Sequence, residues 1–238
     1  MSSLLPLSTV IFLAKCGATL VHTHRYNLFA RVLKRWIVTA VTFLISSTAV
    51  YSDTAPRLMI LGDSLTAGYG LPQNQAFPVQ LEAALRARGN AVTVINAGVS
   101  GDTTAGGLAR LDWALASKPT HVLVELGAND MLRAVDPDVT RKHLDAIIEK
   151  LKSRGIKVML AGMYATPNLG KLYTDNFRAL FTDLSQKHAV MLYPFFLSGV
   201  AAVPRLNLED GMHPNGSGVA VIVERMLPSI EKFLGDKE

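Results

Sequence analysis

From residue 57 onward, short apolar runs alternate with longer stretches whose apolar positions recur at helical spacing. RLMIL (57–61), VTVIN (92–96), HVLVEL (121–126), KVMLA (157–161) and AVMLYP (189–194) have the length and residue types of strands. They are nearly continuous in apolar character rather than alternating, which predicts burial on both faces. Between them lie amphipathic segments: FPVQLEAALRARG (77–89), TTAGGLARLDWALASK (103–118), DPDVTRKHLDAIIEKLKSRG (136–155) and LYTDNFRALFTDLSQKH (172–188). GSGVAVIVERMLPSIEKFL (216–234) closes the chain, and Pro228 within it predicts a kink or an end to its first part. In the 136–155 segment Asp138 is the expected cap, Leu144, Ile147, Ile148 and Leu151 form the apolar stripe, and Gly155 stops the helix. Gly89-Asn90 gives the 77–89 helix the same stop.

Strands separated by helices of this length imply right-handed crossovers and a parallel sheet. The expected fold is α/β: one three-layer α/β/α domain over residues 50–238 with a five-stranded, parallel, flavodoxin-like sheet and no internal repeat. Such sheets bind ligands beyond the carboxyl ends of their strands. Ser64 follows the first predicted strand, NAGVSGDTT the second, GAND the third and YATPN the fourth. Three of these loops are dense in Gly, Asn, Ser and Asp, as close backbone approach to a ligand requires.

The formal charge of +5 points at first to a nucleic-acid or membrane-surface partner. Position removes that reading. Lys15, Arg25, Arg31, Lys34 and Arg35 are the only charged residues before Asp53, which leaves 19 of the 24 basic residues facing 19 acidic ones in the body. No nucleic-acid footprint remains. Residues 1–49 read as a leader: RVLKRW is a basic n-region, IVTAVTFLISSTAV an apolar h-region, and Ser47-Thr48-Ala49 a small-x-small site with cleavage after Ala49. The h-region is short for a span of roughly 20 apolar residues, although an uncleaved inner-membrane anchor is the alternative. An exported, periplasmic or secreted, protein is the expectation. A second apolar stretch, Leu4–Val21, precedes the basic cluster, and no methionine lies between Met1 and Met59. A non-AUG start near Val32 or Leu33 would account for the extra length. Cys16 is the only cysteine, and Lys15 before it fits a lipoprotein signal badly. Once the leader is removed, no thiol is left for disulfides, nucleophilic catalysis or metal ligation.

A serine nucleophile needs a base and a group that orients the base. Of the four histidines beyond the leader, His121 begins a strand, His143 lies on the polar side of a helix and His188 sits where a helix ends. His213 differs, because it lies in the Gly- and Pro-rich loop LEDGMHPNGSG with Asp210 three residues earlier. One turn lets that carboxylate accept from one imidazole nitrogen while the other faces Ser64. Oxyanion donors are offered by the Ser64 N–H, by Gly98, whose backbone approaches closely without a side chain, and by the Asn129 amide. Asp63 is expected to hold its loop, as are Asp102 and Asp130 through Asx-type hydrogen bonds. Glu125 places a charge inside a buried strand, odd unless paired.

Taken together, GDSLTAGYG, NAGVSGDTT, LVELGAND and DGMHPN resemble the successive blocks of the SGNH (GDSL) hydrolases, in that family's order over residues 62–215. FPVQLEAAL, GDTTAGGLARLDWAL and LYPFFLSGV resemble one branch, the periplasmic multifunctional thioesterase/protease/lysophospholipase enzymes and related arylesterases. The resemblance implies Ser64 as nucleophile, His213 as base oriented by Asp210, and Ser64, Gly98 and Asn129 as the oxyanion hole. It also implies hydrolysis of aryl esters, acyl-CoA thioesters or lysophospholipids through an acyl-enzyme, and a glutamate at the position of Glu125. In the loop after the fourth strand, Met163, Tyr164, Leu169 and Leu172 are candidates to line an acyl channel, although core packing explains Met163 at least as well.

No metal or nucleotide motif appears, so neither cofactor nor metal is expected. The expected partner is a small-molecule acyl ester or thioester, with membrane contact only through the leader or lipid substrates, and the protein is expected to be a monomer. Two other readings stay open: a carbohydrate esterase that deacetylates polysaccharide, against which stands an aromatic content of only 7%, and a non-catalytic binding module.

Overall fold

The computed structural model describes residues 55–235, so the leader, its cleavage site and the start near Val32 lie outside the described residues. Five strands form one parallel sheet in the order β2-β1-β3-β4-β5: β1 (Arg57–Gly62), β2 (Thr93–Gly98), β3 (His121–Glu125), β4 (Lys157–Ala161) and β5 (Met191–Tyr193). β1 pairs Gly62 with Gly98 on one side and with Glu125 on the other. The central strands β1, β3 and β4 are buried almost throughout, as their continuous apolar runs require, whereas the edge strands β2 and β5 are half-buried.

Eight α-helices connect the described strands: α1 (Ser64–Ala67), α2 (Phe77–Ala87), α3 (Thr104–Ala109), α4 (Leu111–Ala114), α5 (Ala128–Leu132), α6 (Pro137–Lys152), α7 (Lys171–His188) and α8 (Gly216–Gly235). α2 packs beside α8, and α6 packs beside both α3 and α7. Right-handed crossovers place these two groups on opposite faces of the sheet. Strand order reverses at β1, so the crevice for a ligand opens at the carboxyl ends of β1 and β3.

Three boundaries differ from the sequence pattern. Asp136, not Asp138, caps α6, its Oδ1 accepting the Asp138 N–H at 2.8 Å ahead of Pro137 in the first turn. The 103–118 segment breaks at Arg110, whose guanidinium reaches the Ala97 carbonyl at 2.8 Å, the Gly62 carbonyl at 3.0 Å and Asp102 at 2.6 Å. Pro228 neither ends nor divides α8. It and Glu224, whose carbonyl it leaves without an intrahelical donor, both lie on the exposed face, open to solvent.

Candidate active site

At the corner after β1, Asp63 caps α1: its Oδ1 accepts the Leu65 N–H at 3.0 Å, so Ser64 becomes the first helical residue. Gly68, at φ 91°, closes that single turn. Ser64 therefore stands at the sheet's carboxyl edge with its N–H in a helix's first turn, where backbone donors lack intrahelical partners.

His213 arrives from the other end of the chain, and its loop is clamped from three sides. Asn207 and Pro214 form an antiparallel bridge, and the Leu208 N–H donates to the His213 carbonyl at 2.7 Å. Asn215 donates to the carbonyls of Arg205 and Asn207 at 3.0 and 3.2 Å, while its Oδ1 accepts the Ser217 and Gly218 N–H groups that open α8. Asp210 folds back over this turn. Its Oδ1 accepts the Met212 and His213 N–H groups at 2.8 and 3.0 Å, and its Oδ2 lies 2.6 Å from His213 Nδ1. These backbone N–H groups, with the imidazole, lower the Asp210 carboxyl to about 2. It is ionised at neutral pH and accepts the hydrogen bond from His213 Nδ1–H, which keeps the proton on Nδ1 and leaves a lone pair on Nε2. That nitrogen lies 2.9 Å from Ser64 Oγ. The structure thus joins Ser64, His213 and Asp210 in one chain of hydrogen bonds, with Tyr69 packed on the imidazole at 4.5 Å between ring centroids.

Asn129 is the second residue of α5, after β3, and its Nδ2 donates to Asp63 Oδ2 at 3.1 Å. Asp130 beside it accepts from the Thr104 N–H at 2.8 Å and hydroxyl at 2.6 Å. This fastens α5 to the start of α3, a longer tie than an Asx turn. His143 joins the same cluster, 3.2 Å from the Thr104 hydroxyl.

Gly98 packs against α1 and does not turn its N–H to the cavity above the nucleophile, contrary to the expectation from sequence. Its N–H donates to Asn96 Oδ1 at 2.9 Å, and Gly98 does not line the cavity above Ser64. Glycine is required there for another reason, since a Cβ would lie 2.5 Å from the Ala67 nitrogen in α1. Gly101 lines the cavity instead, in the same loop, with φ 82° and open space where a side chain would stand.

The cavity measures about 540 Å³ and joins Ser64, Gly101, Asn129 and His213 to a mainly apolar wall. Met163 and Tyr164 are part of that wall, whereas Leu169 and Leu172 are not. Phe195, which the sequence pattern does not single out, lines the cavity and stacks on Tyr164 with centroids 4.2 Å apart and planes 4° from parallel. Asp63, which also lines the cavity, and Glu125 are fully buried, and the Asp63 N–H reaches Glu125 Oε2 at 3.4 Å. Burial pushes Asp63 up to about 6, against the Leu65 and Asn129 hydrogen bonds. Burial, reinforced by the Asp63 charge, pushes Glu125 well above the ordinary carboxyl range. Away from this site, Asp145, Glu149 and His188 have ligand atoms close enough to share a cation, and Lys187 Nζ already lies 2.6 Å from Asp145 there.

Residues 60–221 match the GDSL-like Lipase/Acylhydrolase family. The chain belongs to this family and is a serine hydrolase of the esterase type. It is 39% identical over 199 residues to an arylesterase of Vibrio mimicus, a match covering 83% of this chain and 98% of that protein. Over 192 residues it is 35% identical to thioesterase 1/protease 1/lysophospholipase L1 of Escherichia coli K12, covering 80% and 89%. The crystal structure of the psychrotrophic esterase EstA from Pseudoalteromonas sp., inhibited by monoethylphosphonate, aligns with a TM-score of 0.72 at 36% identity, covering 76% of this chain and 99% of EstA.

Proposed function

We propose that this enzyme hydrolyses carboxylic esters and thioesters in two steps through an acyl group carried on Ser64. The observation that carries the reading is the 2.9 Å contact of Ser64 Oγ with His213 Nε2, backed by the Asp210 carboxylate at 2.6 Å. His213 takes the hydroxyl proton as Oγ attacks the acyl carbonyl, then gives it to the departing alkoxide, phenoxide or thiolate. Water deprotonated by the same imidazole releases the acid and restores the serine. The oxyanion rests on the Ser64 N–H, the Gly101 N–H and the second hydrogen of Asn129 Nδ2. Support for Gly101 over Gly98 is its place on the cavity wall and its N–H, which meets no protein acceptor among the described residues. A mainly apolar cavity of about 540 Å³ suits aryl esters, acyl thioesters and lysophospholipids better than a sugar.

No helix among the described residues is long and apolar enough to cross a membrane. Separately, the basic and apolar character of residues 31–49 favours export, with cleavage after Ala49 and action in the periplasm or outside the cell. Ser64→Ala should abolish hydrolysis of p-nitrophenyl butyrate and labelling by a fluorophosphonate while the circular dichroism spectrum is kept. Turnover near the wild-type rate, or label on another residue, would remove Ser64 from its role.

A further inference from the structure

Two carboxylates that the proposed chemistry does not consume lie directly behind the nucleophile. Both oxygens of Asp63 are engaged: Oδ1 with the Leu65 N–H at 3.0 Å, Oδ2 with Asn129 Nδ2 at 3.1 Å. Capping alone gives no reason for an acid here, because a serine or asparagine caps a helix as well as aspartate does. A buried anion this close to a developing oxyanion is also unfavourable in itself. Something must offset both terms.

The Asn129 amide supplies it. Its two ends are nearly isosteric, one a donor and one an acceptor, and the wrong orientation would place a carbonyl oxygen where the oxyanion forms. Only a neighbour that accepts and never donates settles that choice. An ionised carboxylate is such a neighbour, whereas an amide at position 63 could serve either face of Asn129. We infer that Asp63 is a positioning residue whose carboxylate, by accepting one hydrogen of Asn129 Nδ2, keeps the other hydrogen aimed at the oxyanion. The inference rests on the donor role proposed for Asn129.

The surroundings of Asp63 fit this task. The Leu65 N–H and the Asn129 amide hold it down against burial, the His213 charge helps, and the Asp102 charge opposes them. It is therefore ionised above about pH 6. Glu125 lies against the Asp63 N–H, and its Oε1 has no partner among the described residues. Burial, with the Asp63 charge behind it, pushes its carboxyl well above the ordinary range, which works against a second negative charge in this layer. Gly62 lets this layer close, because a Cβ there would stand 2.7 Å from Glu125 Oε2 and 2.2 Å from the Thr66 hydroxyl.

The test is a double-mutant cycle on p-nitrophenyl butyrate. In Asp63→Asn the new amide can donate to Asn129 Oδ1 once Asn129 turns over, so the hydrogen-bond count survives and the hole loses its donor. Losing one such donor costs about a hundredfold or more in kcat. Asp63→Asn and Asn129→Ala should each show that loss with KM changed less than about threefold, and the double variant should be no slower than Asn129→Ala alone. A merely structural Asp63 would instead multiply the two losses or leave kcat near wild type, and either result overturns the inference. Should Asp63→Asn fail to fold, the Asn129 side-chain amide resonances of a His213→Gln enzyme decide. They should shift as the pH falls through a value above the wild-type value of about 6, because this variant lacks the His213 charge that lowers Asp63, and resonances that stay put count against Asp63. Loss of the cycle with Ser64→Ala still inactive would sink this inference alone, whereas an active Ser64→Ala enzyme would sink the proposed function.

Discussion

Gly98 and Gly101 are three residues apart, and only Gly101 borders the cavity above the nucleophile. A Cβ at Gly98 would stand 2.5 Å from the Ala67 nitrogen and 2.8 Å from its Cα, both backbone atoms that cannot swing aside. Gly98→Ala should therefore lower unfolding stability by roughly 1–3 kcal/mol as overpacking. It should also lower kcat, because the helix that must shift carries Ser64. A urea titration beside initial rates checks both. Unchanged stability would mean that α1 has slack which these distances deny. The pair Asp210 and His213 was legible in the sequence because one turn sets their separation, and Ser64 because it follows an unmistakable strand. That Gly101 and not Gly98 borders the cavity was not legible, nor that the Asn96 side chain captures the Gly98 N–H. The Asp63–Asn129 contact joins residues 66 positions apart, and no local pattern announces it.

Among the elements, the five strands and the longer helices followed from apolar periodicity, the short α1 and α5 in the loops after β1 and β3 did not, and the ends were decided by individual side chains. Asp136 and Asp138 are both acidic and both near the start of α6, so composition alone does not choose between them. The structure does. Asp136 Oδ1 accepts the Asp138 N–H at 2.8 Å, and Pro137 occupies the first turn, where its missing N–H costs nothing. Asp138 keeps only an exposed 3.7 Å approach to Arg141. Asp136→Ala should lower stability by about 1 kcal/mol, and Asp138→Ala by a few tenths, as read from urea midpoints at equal slope. The reverse order would return the cap to Asp138. Arg110 illustrates the same point, since its guanidinium binds the carbonyls at the ends of β1 and β2 and breaks a segment whose amphipathic period runs on past it.

In the whole molecule the sheet has a chemical end and a structural end, and pH acts on them in opposite senses. At the carboxyl end, Asp63 is raised to about 6 in the fold from an ordinary 3.8. Its contribution to stability is complete below 3.8 and is lost as the pH rises through about 6. At the amino end of β3, burial, with the Lys157 charge behind it, lowers His121 from 6.5 to about 4. The neutral ring sits edge-on to Phe233 at 5.1 Å, and its Nε2 has no partner among the described residues. The stability that His121 supports is complete above 6.5 and is lost as the pH falls through about 4. The two groups partly cancel between those limits, so the wild-type pH dependence alone assigns neither. His121→Leu isolates one of them. It removes a group that must be charged on unfolding in acid, and it lies a full strand length from Ser64. The variant should lose less stability than wild type between pH 7.5 and pH 5, by on the order of 1 kcal/mol, with p-nitrophenyl ester turnover unchanged. Urea midpoints at the two pH values give the difference. An equal acid loss in both proteins would show that the ring already titrates normally in the fold, and a fall in turnover would show that the amino end of the sheet reaches the site.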